Sequence, residues 1–136
     1  MSVLIDTSAW VEYFRSTGSE VNRATTELHR SNDPFFTCGP VGMELRAGAQ
    51  NDRVLTDIDA ALCAGETLPV QPHHFDQAAT LYRTCRAEGF TIRSLIDCLI
   101  AVVAMSQDAE ILHHDRDFNT IAQVVPLRVH PASLAD

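Results

Sequence analysis

Short apolar runs alternate along this chain with longer segments whose apolar residues lie three or four positions apart. The short runs predict strands, and the longer segments predict amphipathic or buried helices. The strands are predicted at residues 2–5, 35–38, 68–70, 110–112 and 126–129. The helices are predicted at residues 7–14, 19–29, 40–48, 53–64, 72–88 and 95–105 and around 117–121. Strands separated by one or two helices predict an α/β fold, with a parallel sheet and helices on both faces.

Length and composition favour one packed domain covering residues 1–136. Hydrophobic residues make up 46% of the chain, which is ample for a core. No apolar run approaches the roughly 20 residues of a membrane span. The first residues lack a basic segment and a cleavage site typical of a signal peptide. We therefore expect a cytoplasmic protein without a membrane partner.

The four cysteines are far apart and form no C-x-x-C pair, so zinc and thioredoxin-like sites lack support. Cys63, Cys85 and Cys98 occur in apolar helical patterns, which favours buried free thiols.

The charge pattern also excludes several classes of protein. The formal net charge is −8, and all ten basic residues are arginines. Without lysine the chain cannot be a P-loop enzyme, a Schiff-base enzyme or a receiver domain. Net acidity argues against broad non-specific binding to nucleic acid. It remains compatible with a nuclease whose acidic site is neutralised by metal.

Asp97 is the one charged residue between Leu95 and Met105. Burying a carboxylate among such apolar neighbours is costly unless something compensates its charge. An alternative is structural, because Ser94 and Asp97 have the spacing of a helix capping box.

Other carboxylates follow the predicted strands. Asp6 and Asp115 come just after two of them, and Glu44 lies one turn inside a helix. Ligands bind beyond the carboxyl ends of parallel strands, so these acids and Asp97 are expected at one edge of the sheet. Taken singly, Asp6 and Asp115 could be helix N-caps and Glu44 an exposed helix residue. Taken together, four carboxylates would repel one another unless cations lay among them, and oxygen ligands select Mg²⁺ or Mn²⁺.

Competing motifs are missing. There is no G-x-G-x-x-G for a dinucleotide and no G-x-S-x-G for a serine hydrolase. The haloacid-dehalogenase pattern needs a second aspartate at position 8, which is a serine.

Four stretches in order resemble the PIN-domain ribonucleases, specifically the VapC-type toxins of toxin–antitoxin pairs. They are Val-Leu-Ile-Asp-Thr-Ser at 3–8, the Glu44 helix, Arg-Ser-Leu-Ile-Asp-Cys-Leu-Ile-Ala at 93–101 and Leu-His-His-Asp-Arg-Asp-Phe at 112–118. The resemblance covers essentially the whole chain. It implies a PIN-like three-layer α/β/α fold with a mostly parallel sheet of four to five strands. Cys98 and Leu99 depart from the family pattern, in which small residues are frequent at these positions.

The resemblance also implies roles for individual residues. Asp6, Glu44, Asp97 and Asp115 would form the acidic metal site. Asp117 would be auxiliary, and the hydroxyl of Thr7 or Ser8 would lie close to a metal-bound water. The implied contacts to RNA are Arg93, Arg116 and His114. Arg15 and Arg46 are also phosphate candidates, although surface ion pairs explain them equally well.

The activity implied is Mg²⁺-dependent endonucleolytic cleavage of structured RNA, such as tRNA or ribosomal RNA, with Mn²⁺ as a possible substitute. The partners implied are the RNA, a cognate antitoxin, and a second copy of the chain in a homodimer and in a hetero-oligomer with the antitoxin. We expect an antitoxin helix in an apolar groove near Trp10, Phe14 and Val21. The alternative is a non-catalytic PIN-like module that binds RNA or protein. Such a module would be expected to have lost site acids, whereas this chain retains them.

Overall fold

The computed structural model describes residues 2–135, and its elements follow the predicted alternation. Four strands and seven helices are found in this part of the chain. The strands are β1 (Val3–Ile5), β2 (Phe36–Cys38), β3 (Glu66–Leu68) and β4 (Glu110–Leu112). The helices are α1 (Thr7–Phe14), α2 (Glu20–Arg30), α3 (Gly39–Ala47), α4 (Asp52–Cys63), α5 (Pro72–Ala87), α6 (Leu95–Ser106) and α7 (Arg116–Val124).

The four strands form one parallel sheet in the order β3-β2-β1-β4. The predicted α/β class and parallel sheet are therefore confirmed. Ile5 of β1 pairs with Leu112 of β4. The amide of Asp6 extends this pairing by donating a 2.9 Å hydrogen bond to the Leu112 carbonyl. This register places the residues that follow β1 and β4 side by side at one edge of the sheet.

Two predicted strands differ from those observed. The strand predicted at 68–70 lies two residues earlier, where the amide of Glu66 donates to the Phe35 carbonyl. The strand predicted at 126–129 is reduced to an isolated parallel bridge between Ile111 and Val129. Pro126 lacks an N–H, and the Leu127 amide bonds back to Val125, so this segment cannot continue a ladder.

The core is built mainly from β1, β4, α1 and α6. Trp10 is fully buried and makes an edge contact with the Phe35 ring at a centroid distance of 5.6 Å. Helix α6 buries most of its residues, including Cys98 and Asp97. All four cysteines are free, but Cys63 is exposed at the end of α4. The prediction of a buried Cys63 was wrong, because it lies on the solvent side of an amphipathic helix.

None of the helices between residues 2 and 135 has the length and apolarity needed to traverse a lipid bilayer.

Candidate active site

Asp6 follows β1 and is the N-cap of α1, as one alternative suggested. Its Oδ2 accepts hydrogen bonds from the Ser8 amide at 2.9 Å and the Ser8 hydroxyl at 2.6 Å. Among the described residues, no group donates to Asp6 Oδ1, which is buried. Capping therefore accounts for only one of the two carboxylate oxygens.

Ser8 also links the ends of β1 and β4. Its Oγ accepts a 2.8 Å hydrogen bond from the amide of His114, which follows β4, while it donates to Asp6. The hydroxyl thus orients the Asp6 carboxylate and ties together the two chain segments that leave the sheet at this edge.

Asp97 lies in the first turn of α6 and is buried. Ser94 is the N-cap residue of this helix, but its side chain makes no capping hydrogen bond, so the capping-box alternative is wrong. Asp97 Oδ2 is buried and receives no hydrogen bond from residues 2–135. Burial raises the pKa of Asp97 far above its usual value, and the nearby charge of Asp6 raises it further.

Asp115 and Asp117 stand at the start of α7. Asp115 is the N-cap, and its Oδ1 accepts a 2.9 Å hydrogen bond from the Asp117 amide. Asp117 is buried, and its Oδ2 accepts hydrogen bonds from the backbone amides of Arg93 at 3.0 Å and Ser94 at 3.2 Å. Asp117 therefore fixes the loop that leads into α6, and with it the position of Asp97.

Three carboxylates converge at this edge. One oxygen from each of Asp97, Asp115 and Asp117 lies within 4.8 Å of the other two, and we call these residues the acidic cluster. Asp6 and Glu44 are outside the cluster within the described chain. The predicted four-acid metal set of Asp6, Glu44, Asp97 and Asp115 stays a prediction. The auxiliary role of Asp117 also stays a prediction, and its carboxylate lies within the acidic cluster.

Glu44 nevertheless lies close enough to Asp6 for their charges to interact. Its Oε1 accepts a 2.7 Å hydrogen bond from the Thr7 hydroxyl, which connects α3 to the start of α1. Its charge contributes to raising the pKa of Asp6. Glu44 is half-buried rather than a fully exposed helix residue. The hydroxyls of Thr7 and Ser8 are thus both engaged with site acids.

Burial, and secondarily the charge of Glu44, raises the pKa of Asp6 from 3.8 to about 6, against the opposing hydrogen bonds from Ser8. Carboxylates with raised pKa values that face one another are the expected result of packing like charges without a counter-ion. A cation placed among these carboxylates would remove the free-energy cost of their mutual repulsion.

The residues present fit a hard divalent cation. The donor set consists of carboxylate oxygens, which suit Mg²⁺ and Mn²⁺. Two of these oxygens, on Asp6 and Asp97, are buried and receive no hydrogen bond from the described residues. Asp97, Asp115 and Asp117 could hold the ion directly, with Asp6 beside them.

The PIN domain family matches residues 3–124, which is most of the chain. The chain belongs to the PIN-domain family. This PIN domain is 41% identical to VapC ribonuclease Mb1587 of Mycobacterium bovis and to ribonuclease VapC11 of Mycobacterium tuberculosis. Each alignment spans 131 residues, or 93% of this chain and 96% of the relative. The recognition of a VapC-type PIN-domain ribonuclease from the sequence is confirmed.

Solved structures show the same fold. VapBC2 of Rickettsia felis, bound to promoter DNA, matches the PIN domain with a TM-score of 0.75 at 18% identity, covering 96% of this chain and 98% of that chain. VapC20 of Mycobacterium tuberculosis, described as a toxin that cleaves the sarcin-ricin loop, matches with a TM-score of 0.67 at 20% identity. That match covers 93% of this chain and 98% of the other.

Basic residues differ in their relation to this PIN domain's acids. Arg93 contacts Asp115 and Asp117, whereas Arg116 is exposed at the first position of α7. The His114 Nε2 lies 3.7 Å from Glu12 Oε1. Arg46 pairs with Asp59 at 2.9 Å on the surface, as the ion-pair alternative proposed.

A C-terminal segment that sequence reasoning did not identify also supports the site. We call residues 130–134 the C-terminal hook. The Ser133 Oγ accepts from the amide of buried His113 at 3.1 Å, and the Leu134 amide donates to the His113 carbonyl. The His113 Nδ1 accepts from the Asp115 amide at 3.1 Å. The Asn119 side chain on α7 donates to the Leu134 carbonyl.

The hook therefore joins β4 to α7 on either side of Asp115. Only the proximity of His113 to Asp115 in sequence could have suggested part of it.

Proposed function

We propose that this chain is the Mg²⁺-dependent endoribonuclease toxin of a toxin–antitoxin pair, acting in the cytoplasm on structured RNA. The observation that carries the proposal is the acidic cluster, with unpartnered carboxylate oxygens of Asp97 and neighbouring Asp6. Mn²⁺ would substitute for Mg²⁺ because it accepts the same oxygen ligands. The relatives named as VapC ribonucleases support the activity over nearly the full length of the chain.

The role proposed for each residue in catalysis follows from its position in the site. Asp97, Asp115 and Asp117 would hold the metal, and the metal would activate a water and neutralise the phosphate charge. The Ser8 amide and hydroxyl hold Asp6 Oδ2, and Asp6 Oδ1 is left buried without a hydrogen bond from the described residues. Thr7 fixes Glu44 at the side of the site, where a carboxylate can orient a water.

Structured RNA is the proposed substrate class, with tRNA and ribosomal RNA as specific candidates. VapC20, which shares the fold, is described as a toxin that cleaves the sarcin-ricin loop. Exposed Arg116 and the partly exposed His114 lie next to Asp115, where they could contact phosphate and base. The net charge of −8 makes these local contacts more important than general attraction to RNA.

The decisive experiment is to map the ends of cellular RNA after a short pulse of expression, with Asp97→Asn as the inactive control. We expect new ends at defined positions in a few structured RNAs, carrying a 3′-hydroxyl. In vitro, EDTA is expected to abolish cleavage and added Mg²⁺ to restore it. Full activity in chelator would contradict a metal mechanism, and intact RNA in all cases would favour a non-catalytic binding module.

We further propose a cognate antitoxin as partner, as in the VapBC complexes that share the fold. The groove predicted at Trp10, Phe14 and Val21 needs correction, because Trp10 and Val21 are buried in the core. Phe14 instead lines an open cavity of about 410 Å³ between α1, α3 and α4. We call this cavity the α1–α3–α4 groove, and its lining residues are Thr7, Val11, Phe14, Arg15, Glu44, Leu45, Gly48, Ala49, Gln50, Val54 and Ile58.

Glu44 lies at the wall of this groove and is bonded to Thr7 beside Asp6. An antitoxin segment in the groove would therefore reach the acids directly, and a basic side chain from it would block the metal and the phosphate. Homodimer formation, alone and in the hetero-oligomer, is also proposed, and sedimentation of the purified chain with and without its antitoxin tests it.

A further inference from the structure

Arg93 is the one residue whose guanidinium contacts two members of the acidic cluster in the part of the chain described here. Its Nη2 lies 3.0 Å from Asp115 Oδ1, and its Nε lies 3.5 Å from Asp117 Oδ1. Both acids are candidates to hold the divalent ion. A positive group of the protein itself therefore lies against the carboxylates that the metal would use.

The two ends of Arg93 are held very differently. Its backbone amide donates a 3.0 Å hydrogen bond to Asp117 Oδ2, an oxygen that also receives the Ser94 amide. Its side chain is 72% exposed. Ion pairs with one partner in water are weak and screened by salt. The guanidinium can therefore leave the acids at little cost while the backbone stays fixed.

The chemistry of the guanidinium suits two successive partners. Its planar fork binds carboxylates and phosphates with similar geometry. Asp115 and then Asp117 raise the pKa of Arg93, so the group is a permanent cation at any working pH. A divalent ion has twice its charge and binds carboxylate oxygens directly, so the ion would win the competition for these acids at sufficient concentration.

We propose that Arg93 competes with the divalent cation for Asp115 and Asp117, and that metal binding releases its guanidinium to contact the phosphate of the RNA. This inference rests on the proposed function. It assigns Arg93 a specific position in the sequence of events: counter-ion of the metal-free site first, and substrate contact once the metal is bound. If Arg93 only contacted RNA, it would not affect the affinity for metal. If Arg93 only held the acids in position, it would increase that affinity.

The test compares Arg93→Gln with Arg116→Gln, which removes an equal charge from an exposed residue adjacent to Asp115. Mn²⁺ binding to the RNA-free protein is measured by the loss of the free-ion electron paramagnetic resonance signal. We expect Arg93→Gln to bind Mn²⁺ roughly 3- to 10-fold more tightly than the wild type. Arg116→Gln should change the affinity by no more than about twofold, because no acid is released.

RNA cleavage at saturating metal supplies the second measurement. Arg93→Gln should raise KM for RNA at least roughly fivefold while kcat changes less. Tighter metal binding with weaker substrate binding is the combination that only a shared counter-ion predicts. Thermal unfolding of both variants in chelator shows whether either change alters the fold.

Three results would overturn the inference. Unchanged Mn²⁺ affinity in Arg93→Gln would leave only an RNA contact, and weaker Mn²⁺ binding would make Arg93 a brace. An equal increase in Mn²⁺ affinity in Arg93→Gln and Arg116→Gln would show that the effect comes only from the change in net charge. A wild-type protein that binds no Mn²⁺ at millimolar concentration would overturn the proposed metal-dependent function itself, together with this inference.

Discussion

At the scale of single residues, the site is defined by carboxylates that the protein buries without enough donors. Asp6 and Asp97 each have an oxygen that receives no hydrogen bond from the residues described, and burial raises the pKa of both. Without metal, the site therefore holds protons that a free carboxylate would have lost. Divalent binding must displace those protons, so metal affinity should rise with pH.

Asp6→Asn tests the cost of this burial in the absence of metal. Folding raises the Asp6 pKa from 3.8 to about 6, so the folded state retains the proton more strongly than the unfolded state does. This contribution to stability is complete below the unfolded pKa and is lost as pH rises through about 6. In EDTA, Asp6→Asn should match the wild type below about pH 3 and exceed it by about 2–3 kcal/mol above pH 7. Urea unfolding across this range measures the difference, and a constant difference would contradict the assignment.

Asp97→Asn tests function against capping at the start of α6. Asparagine keeps the shape of the side chain but loses the charge, so RNA cleavage should fall by at least roughly 100-fold while the protein stays folded. Ser94→Ala is the matched control, because the Ser94 hydroxyl makes no cap hydrogen bond. It should change the free energy of unfolding by less than about 0.5 kcal/mol. Both variants are assayed for cleavage and thermal unfolding. Loss of folding in Asp97→Asn with full activity in its folded fraction would favour a structural role.

At the scale of elements, the bounds of a helix could be predicted where a capping residue in the sequence marks its start or its end. Ser19 caps α2 because its hydroxyl oxygen accepts a 3.0 Å hydrogen bond from the Asn22 amide, and Gly89 takes φ +87 just after α5. Strand positions were harder, because strands of three residues take their register from neighbours. The Phe35 carbonyl places β3 at Glu66, two residues before the apolar run that suggested it.

The C-terminal hook shows why part of the site could not be predicted. The side-chain hydrogen bonds that join the hook to β4 and α7 link residues 15 or more positions apart, so no local pattern records them. The positions of Asp6, Asp97 and Asp115 could be predicted because each is an N-cap or lies in the first turn of a helix. Glu44 lies in the middle of α3, and its link to the site depends on the Thr7 hydroxyl. The hydrogen bonds that hold Asp117 within the acidic cluster could not be predicted, because they depend on where the Arg93–Ser94 loop passes.

Ser133→Ala tests the hook. The Ser133 hydroxyl donates to the Ile111 carbonyl and accepts from the buried His113 amide, so alanine leaves that amide without its partner. Stability should fall by about 1–3 kcal/mol. Ser31→Ala removes an exposed hydroxyl bonded to Glu27 and should change stability by less than about 0.5 kcal/mol. Urea unfolding compares the two, and equal effects would show that the hook does not stabilise the end of β4.

At the scale of the whole molecule, the acids and the α1–α3–α4 groove form one connected region. Glu44 belongs to both, since it bonds Thr7 at the site and lines the groove. Helical spacing correctly placed Trp10 and Phe14 on α1, but spacing does not show which face meets the core. Packing against Phe35 buries Trp10, while Phe14 remains available at the groove.

Val54→Asp tests the groove as the antitoxin site. Val54 lines the groove in the first turn of α4 and is 37% exposed. A carboxylate is tolerated near a helix N-terminus, so the fold should persist, but a charge inside an apolar contact weakens binding. We expect the dissociation constant of the toxin–antitoxin complex to rise at least roughly 10-fold, with RNA cleavage by the free protein unchanged.

Phe75→Asp is the matched control for this prediction. Phe75 is also apolar, 57% exposed and in the first turn of a helix, but it lies on α5, outside the groove. Calorimetry with the antitoxin, and growth during co-expression, should show lost inhibition for Val54→Asp alone. If Phe75→Asp weakened the complex and Val54→Asp did not, the antitoxin would bind the α5 side. The proposal that the antitoxin reaches Glu44 through the groove would then be wrong.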